Sequence, residues 1–170
     1  MVSPSSASDP SRRGIAEPMG APTHLMVIEA PYYAHIAELL LRGAAAEIEA
    51  AGATFERFAV PGAFEIPAAI RIAVEAGERG THRRFDGFVA LGCVIRGETT
   101  HYDYVCEESA RGLQDLALER GLAIGYGILT VESEAQALAR ARVGERNKGA
   151  EAARACLAMV ELRRHFGVAA

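Results

Sequence analysis

The chain has no surplus of positive charge. Its 170 residues include 22 acidic against 18 basic ones, a formal net charge of −4. A nucleic-acid surface normally needs a basic excess gathered on one face, so that class is disfavoured. No apolar run approaches the ~20 residues of a membrane-spanning helix. No apolar segment follows Arg12 and Arg13, as a secretory leader would require. Cysteine is scarce. Cys93, Cys106 and Cys156 are odd in number, far apart and set among apolar residues, and outline neither a disulfide framework nor a zinc site. A reducing cytoplasm is the expected setting. Lysine is nearly missing: Lys148 is the only one, and every other basic residue is arginine. His24, His35, His82 and His165 lack metal-ligand spacing, and no P-loop, G-x-G-x-x-G or G-x-S-x-G motif occurs.

What is present is ordinary for a folded domain: 50% hydrophobic and 24% charged residues. A domain of ~150 residues buries roughly 70% of its unfolded surface without staples. Residues Met1 to Pro22 are rich in serine and proline and read as a tail, disordered or ordered by a partner. Residues 23–170 read as a single domain. There the chain alternates between short apolar runs and helical spacing. His24–Ala30, Thr54–Val60, Phe85–Ile95 and Ala123–Thr130 are strand candidates. Helical spacing follows each, over Tyr33–Ala51, Ile66–Ala76, His101–Arg120, and then Glu134–Val143 with Asn147–Phe166. Near-continuous apolar strands alternating with helices mark a parallel sheet covered on both faces. The predicted fold is α/β: a flavodoxin-like three-layer sandwich with a four-stranded parallel sheet between helices. Ligands in such sheets bind beyond the carboxyl ends of the strands.

The loops leaving the strands therefore carry the candidates. After the first strand comes Ala30-Pro31-Tyr32-Tyr33, where an aromatic can stack on a planar ligand or cover the edge of the core. After the second comes Val60-Pro61-Gly62-Ala63-Phe64-Glu65-Ile66-Pro67. Glu65 stands at the start of a helix, where a carboxylate complements the helix dipole or accepts from ligand hydroxyls. After the third, Gly92-Cys93-Val94-Ile95-Arg96-Gly97-Glu98-Thr99-Thr100 leads into His101. Thr99 or Thr100 can cap that helix, with Asp103 completing a capping box. Free N–H groups at its start suit a phosphate. His101, in the first turn at the mouth of the expected pocket, suits proton transfer near neutral pH, though a lone histidine there is more often a surface residue. Cys93 lies in an apolar strand end and reads as a buried thiol rather than a nucleophile. Tyr126 sits within the fourth strand. Arg140 offers a planar fork for phosphate oxygens.

Taken together, VPGAFEIP (60–67), LGCVIRGETTHYDYV (91–105), YGILT (126–130) and NKGAEAA (147–153), in that order, resemble the 6,7-dimethyl-8-ribityllumazine synthase family from about Thr23 to Phe166. The resemblance implies a transferase of riboflavin biosynthesis. It joins 5-amino-6-(D-ribitylamino)uracil to 3,4-dihydroxy-2-butanone 4-phosphate and releases phosphate and water, with no metal or redox cofactor. It implies that Tyr32 stacks on the pyrimidine and that Ala63, Phe64 and Glu65 hold the ribityl chain. Cys93, Val94 and Ile95 would line the pyrimidine pocket, and Glu98 and Thr99 would donate backbone N–H groups to the phosphate that Arg140 pairs with. His101 would be the proton donor and acceptor. Tyr126 would reach in from a neighbouring subunit, with Lys148 near the same border. The resemblance implies pentamers with active sites between subunits. Pro31 and Tyr33 depart from the family's basic or small polar residue and asparagine beside the aromatic. RVGER (142–146) lacks the texture common in sixty-subunit shells; pentamer and shell both stay open, with the lean toward a pentamer or a pair of pentamers. A flavin- or lumazine-binding shell would not need the phosphate residues. A flavodoxin-like electron carrier would need a Ser/Thr/Gly loop where Ala30-Pro31-Tyr32-Tyr33 stands.

Overall fold

Four runs of the chain pair into one parallel sheet. The computed structural model describes residues 22–168, and the expected tail, Met1 to Pro22, lies outside them but for Pro22. The strands are β1 (His24–Glu29), β2 (Thr54–Ala59), β3 (Gly87–Ile95) and β4 (Ile124–Val131), in the order β2-β1-β3-β4. The helices are α1 (Ala34–Ala50), α2 (Ile66–Glu78), α3 (His101–Arg120), α4 (Glu134–Ala141) and α5 (Lys148–His165), with a 3₁₀ turn at Ala63–Glu65 before α2. This is the flavodoxin-like order, in which the chain reverses direction across the sheet between β1 and β3.

Side-chain alternation along the strands divides the core in two. Leu25 and Val27 of β1 join Val89 and Leu91 of β3 and Leu129 and Val131 of β4 under α1, α4 and α5. Met26, Ile28, Phe88, Ala90 and Ile128 point the other way, against Ile66 and Ile70 of α2 and Val105 and Leu113 of α3. Helix α1 follows from its spacing: Ile36, Leu40, Ala44 and Ile48 form one buried stripe. Each isoleucine or leucine side chain in it contributes about 1.5–3 kcal/mol on full burial. The helix ends where Gly52 takes φ +68°, a left-handed turn that a side chain would strain.

Edge strand β2 is mostly exposed, yet it anchors a buried charge. Glu29, at the carboxyl end of β1, is 1% exposed. Arg57 of β2 donates to its Oε1 from Nε at 2.8 Å and from Nη2 at 2.5 Å. Oε2 is buried without a partner. An ion pair of this kind holds the edge strand in register, because a slip would strand a carboxylate in the core.

The expected capping box at α3 does not form. Thr100 is the N-cap residue and makes no side-chain capping bond. Asp103 is instead drawn to Arg96, whose Nη1 donates to its Oδ1 at 3.0 Å. A charge-assisted bond outcompetes a neutral cap. No described helix is long and apolar enough to cross a membrane, and no cluster of metal-ligating side chains occurs among the described residues.

Candidate active site

Three loops meet beyond the carboxyl ends of β1, β2 and β3. The Ala30 N–H donates to Leu91 O at 2.9 Å, and the Val60 N–H to Glu29 O at 2.9 Å, so the loops leave the sheet side by side. Tyr32 is 75% exposed and meets Tyr33 edge-on, with ring centroids 5.0 Å apart. Tyr33 turns inward. Burial, then Tyr32, Cys93 and Glu134, push its phenol above the ordinary value. His35 Nε2 lies 2.7 Å from Glu134 Oε1, joining the start of α1 to the start of α4 beside it.

The second loop turns at Pro61-Gly62 into the 3₁₀ turn, which packs on α3 and β3. Ala63 is buried, while Phe64 and Glu65 are exposed. A Cβ on Gly62 would lie 3.0 Å from Glu65 Oε2, so the carboxylate folds back over the turn. Glu65 precedes α2 without making a capping bond, which leaves its oxygens to other donors.

In the third loop Cys93 is buried, and Val94 and Ile95 are half-buried. Burial first, and then Cys106, push the Cys93 thiol up to about 11. Its burial matches the small buried thiol that its sequence context implied. Glu98, Thr99 and His101 are exposed at the start of α3. One chain thus gathers Tyr32, Ala63–Glu65, Cys93–Ile95, Glu98, Thr99 and His101 at one end of the sheet.

Of the other three candidates, Arg140 and Lys148 stand on α4 and α5, on the other face of the sheet, whereas Tyr126 faces α3. Tyr126 opposes Ala90 in the ladder and points to the α2/α3 side with its neighbour Ile128. Burial raises its phenol, against the opposing effect of a hydrogen bond with Ser109. Arg140 lies in the last turn of α4, and its Nη1 donates to Gln136 O of the same helix at 3.0 Å. Lys148 begins α5 and pairs with Glu151. Among the described residues, no hydrogen bond or ion pair joins these three to Glu65, Glu98, Thr99 or His101.

The family model described as 6,7-dimethyl-8-ribityllumazine synthase matches residues 22–164, nearly everything the structure describes. The chain belongs to that lumazine synthase family. A 6,7-dimethyl-8-ribityllumazine synthase of Methylorubrum populi is 57% identical over 144 residues, 85% of this chain and 85% of that one. The protein named 6,7-dimethyl-8-ribityllumazine synthase 1 in Rhizobium meliloti is 53% identical over 146 residues, covering 86% of this chain and 95% of its own. A relative of that enzyme name in Agrobacterium fabrum is 52% identical over 145 residues, 85% of this chain and 97% of its own. Lumazine synthases are transferases that condense 5-amino-6-(D-ribitylamino)uracil with 3,4-dihydroxy-2-butanone 4-phosphate, releasing phosphate and water.

Within the lumazine synthase fold, two features escape sequence reading. Arg96 lies over the Tyr102 ring, 4.1 Å from its centroid. It also pairs with Asp103 and, through Nε, with Glu132 at 3.0 Å. One guanidinium therefore ties the loop that carries Glu98 and Thr99 to α3 and to the loop after β4. The only hint was an arginine ahead of Gly97 with an acid one helical turn into α3. The second feature is the use of Asn147-Lys148-Gly149. Asn147 is left-handed (φ 43°) and accepts from the Ala150 N–H at 3.4 Å, capping α5. A Cβ on Gly43 would lie 2.1 Å from Asn147 Oδ1, and one on Gly149 would lie 2.0 Å from Leu40 O. Asn147 and Gly149 thus seat α5 on α1, whereas Lys148 between them is half-exposed and pairs with Glu151.

Proposed function

We propose that the condensation takes place at a border between two copies of this chain, assembled as a pentamer or a pair of pentamers in the cytoplasm. One copy supplies Tyr32, Ala63, Phe64, Glu65, Cys93, Val94, Ile95, Glu98, Thr99 and His101. The next supplies Tyr126, Arg140 and Lys148. The placement of Arg140 and Lys148 on α4 and α5, which pack on the face of the sheet opposite α2 and α3, at whose starts Glu65 and His101 stand, supports this reading. The free state of all three cysteines is in keeping with a reducing compartment.

The chemistry asks for positioning more than for strong catalytic groups. Holding an amine beside a ketone removes much of the entropic cost of imine formation. In this reading, Tyr32 stacks on the pyrimidine, backbone groups of Cys93–Ile95 line its pocket, and Glu65 accepts from the ribityl hydroxyls. His101 takes the proton from the attacking amine and returns one to the departing oxygen. The N–H groups of Glu98 and Thr99 with Arg140 stabilise charge on the leaving phosphate. The Arg96 clamp holds the phosphate loop still while this happens.

The test is subunit complementation, read by lumazine formation from both substrates. With the phosphate substrate well below its KM, His101→Ala and Arg140→Ala proteins are each expected to be nearly inactive. Unfolded together and reassembled at equal ratio, they should recover roughly a quarter of wild-type sites, because a random border then pairs an intact His101 with an intact Arg140. Recovery no greater than the sum of the separate proteins would place both residues in one chain and defeat the proposal.

A further inference from the structure

Strand register brings Arg96 and Glu132 side by side. Each is the first residue after a strand, and the two strands are neighbours. Ile95 lies opposite Val131, and the Arg96 N–H donates to Val131 O at 2.9 Å. The side chains then meet, with Arg96 Nε 3.0 Å from Glu132 Oε2 and 3.2 Å from Oε1. The same guanidinium covers the Tyr102 ring and donates from Nη1 to Asp103. Two carboxylates against one guanidinium leave no positive charge over for a phosphate. Arg96 therefore holds the loop of Glu98 and Thr99 and does not itself bind the substrate.

Glu132 is tied on its other side as well. Ser133 caps α4 by accepting from the Gln136 N–H at 3.3 Å. The Gln136 side chain reaches back and accepts from the Glu132 N–H at 3.0 Å. This is a capping box whose return bond falls one residue ahead of the N-cap. The carbonyl of the same Gln136 accepts from Arg140 Nη1 at 3.0 Å. A bonded path thus runs from Arg96, through Glu132 and Gln136, to Arg140. The first turn of α4 is steadied again by Glu134, whose Oε1 is 2.7 Å from His35 Nε2.

We propose that Glu132 is a positioning residue for two phosphate sites at once: that of its own chain, through Arg96, and that of the neighbouring copy, through Gln136 and Arg140. The inference rests on the reading of the site given above, in which Arg140 serves the next copy. An ion pair as exposed as Arg96–Glu132 adds little stability by itself. Its effect is geometric, because a planar fork holds an oxyanion only when it is well placed.

Charge and position predict opposite signs. Glu132→Gln removes a negative charge from beside the phosphate loop, so the field alone would tighten binding of an anion there. Loss of position weakens it.

The experiment is steady-state lumazine formation by the assembled protein, with each substrate varied in turn. Glu132→Gln should raise KM for the phosphate substrate by about threefold or more and leave KM for the pyrimidine unchanged. Gln136→Ala alters no charge and should raise the same KM. Combined with Arg140→Ala it should lower kcat/KM no further than Arg140→Ala alone. Glu75→Gln is the control. It breaks a 3.0 Å surface pair with Arg71 on α2 and should change neither KM. A phosphate-substrate KM that holds or falls in Glu132→Gln, an equal rise in Glu75→Gln, or a Gln136→Ala effect that persists beside Arg140→Ala would overturn the inference and leave the site reading standing. If Arg140→Ala itself spares that KM, the site reading fails and this inference fails with it.

Discussion

Gly149→Ala is a one-carbon change whose sign the packing decides. Two effects oppose each other. Alanine is favoured over glycine in a helix by about 1 kcal/mol, and by less near the end, where Gly149 is the second residue of α5. Against this, the new Cβ would stand 2.0 Å from Leu40 O, 2.8 Å from Leu40 C and 3.0 Å from Leu40 Cα. These are backbone atoms of a helix and cannot rotate aside. Relief requires α5 to lift from α1 by more than 1 Å. A gap of 0.5–1 Å already forfeits a quarter to a half of each van der Waals contact along the seam. Overpacking of this kind typically costs about 1–3 kcal/mol and more when backbone must move. The net expectation is a loss of about 1–3 kcal/mol. In a chain of this size that lowers Tm by about 2–4 °C per kcal/mol. Gly144→Ala is the control, because its Cβ would meet nothing within 4 Å. Differential scanning of both variants at equal protein concentration decides the matter. A Gly149→Ala protein that melts with or above the Gly144→Ala protein would refute the view that α5 is seated through this glycine.

Three further outcomes follow from the same contacts. Arg140→Ala should raise KM for the phosphate substrate while leaving KM for the pyrimidine unchanged, as read by steady-state kinetics with each substrate varied. Arg57→Met should cost about 3 kcal/mol in urea unfolding, because it leaves the Glu29 carboxylate buried without a partner; Glu29→Gln combined with Arg57→Met should recover part of that. Cys93 and Cys156 rise from 9.0 to about 11 and about 12, chiefly through burial. The unfolded chain therefore ionises these thiols first. Their contribution to stability is whole below pH 9 and is lost as pH climbs toward 11–12, so alkaline melting should be less steep in a Cys93→Ala, Cys156→Ala protein.

The strands were legible because a parallel sheet buried on both faces writes itself as short, nearly unbroken apolar runs. His24–Glu29 is the clearest case, with all six residues buried. Even β2, largely exposed, was framed by Gly52 ahead and Pro61-Gly62 behind. Helix α3 was expected over His101–Arg120 and forms there. The carboxyl-end loops were legible because fold class alone says where ligands go. What escaped was every feature that depends on residues distant in sequence. Asp103 fits a capping box locally, and only the folded chain brings Arg96 to it. Nothing in the NKGAEAA motif shows that Gly43 and Leu40 lie against Asn147 and Gly149. Glu29, in an apolar run, gave no sign that Arg57 would cross the sheet edge to meet it.

The division of the core by the sheet has a consequence for how this protein can change. Glu65 and His101 stand on elements that rest on the apolar layer of Met26, Ile28 and Phe88, whereas Arg140 and Lys148 stand on helices that rest on the layer of Leu25, Val27 and Val89. A substitution that loosens one layer reaches the other only through the backbone of β1, β3 and β4. The sheet works as a bulkhead. Drift beneath Arg140 and Lys148 need not disturb Glu65 and His101, and selection can act on one pair without first undoing the other.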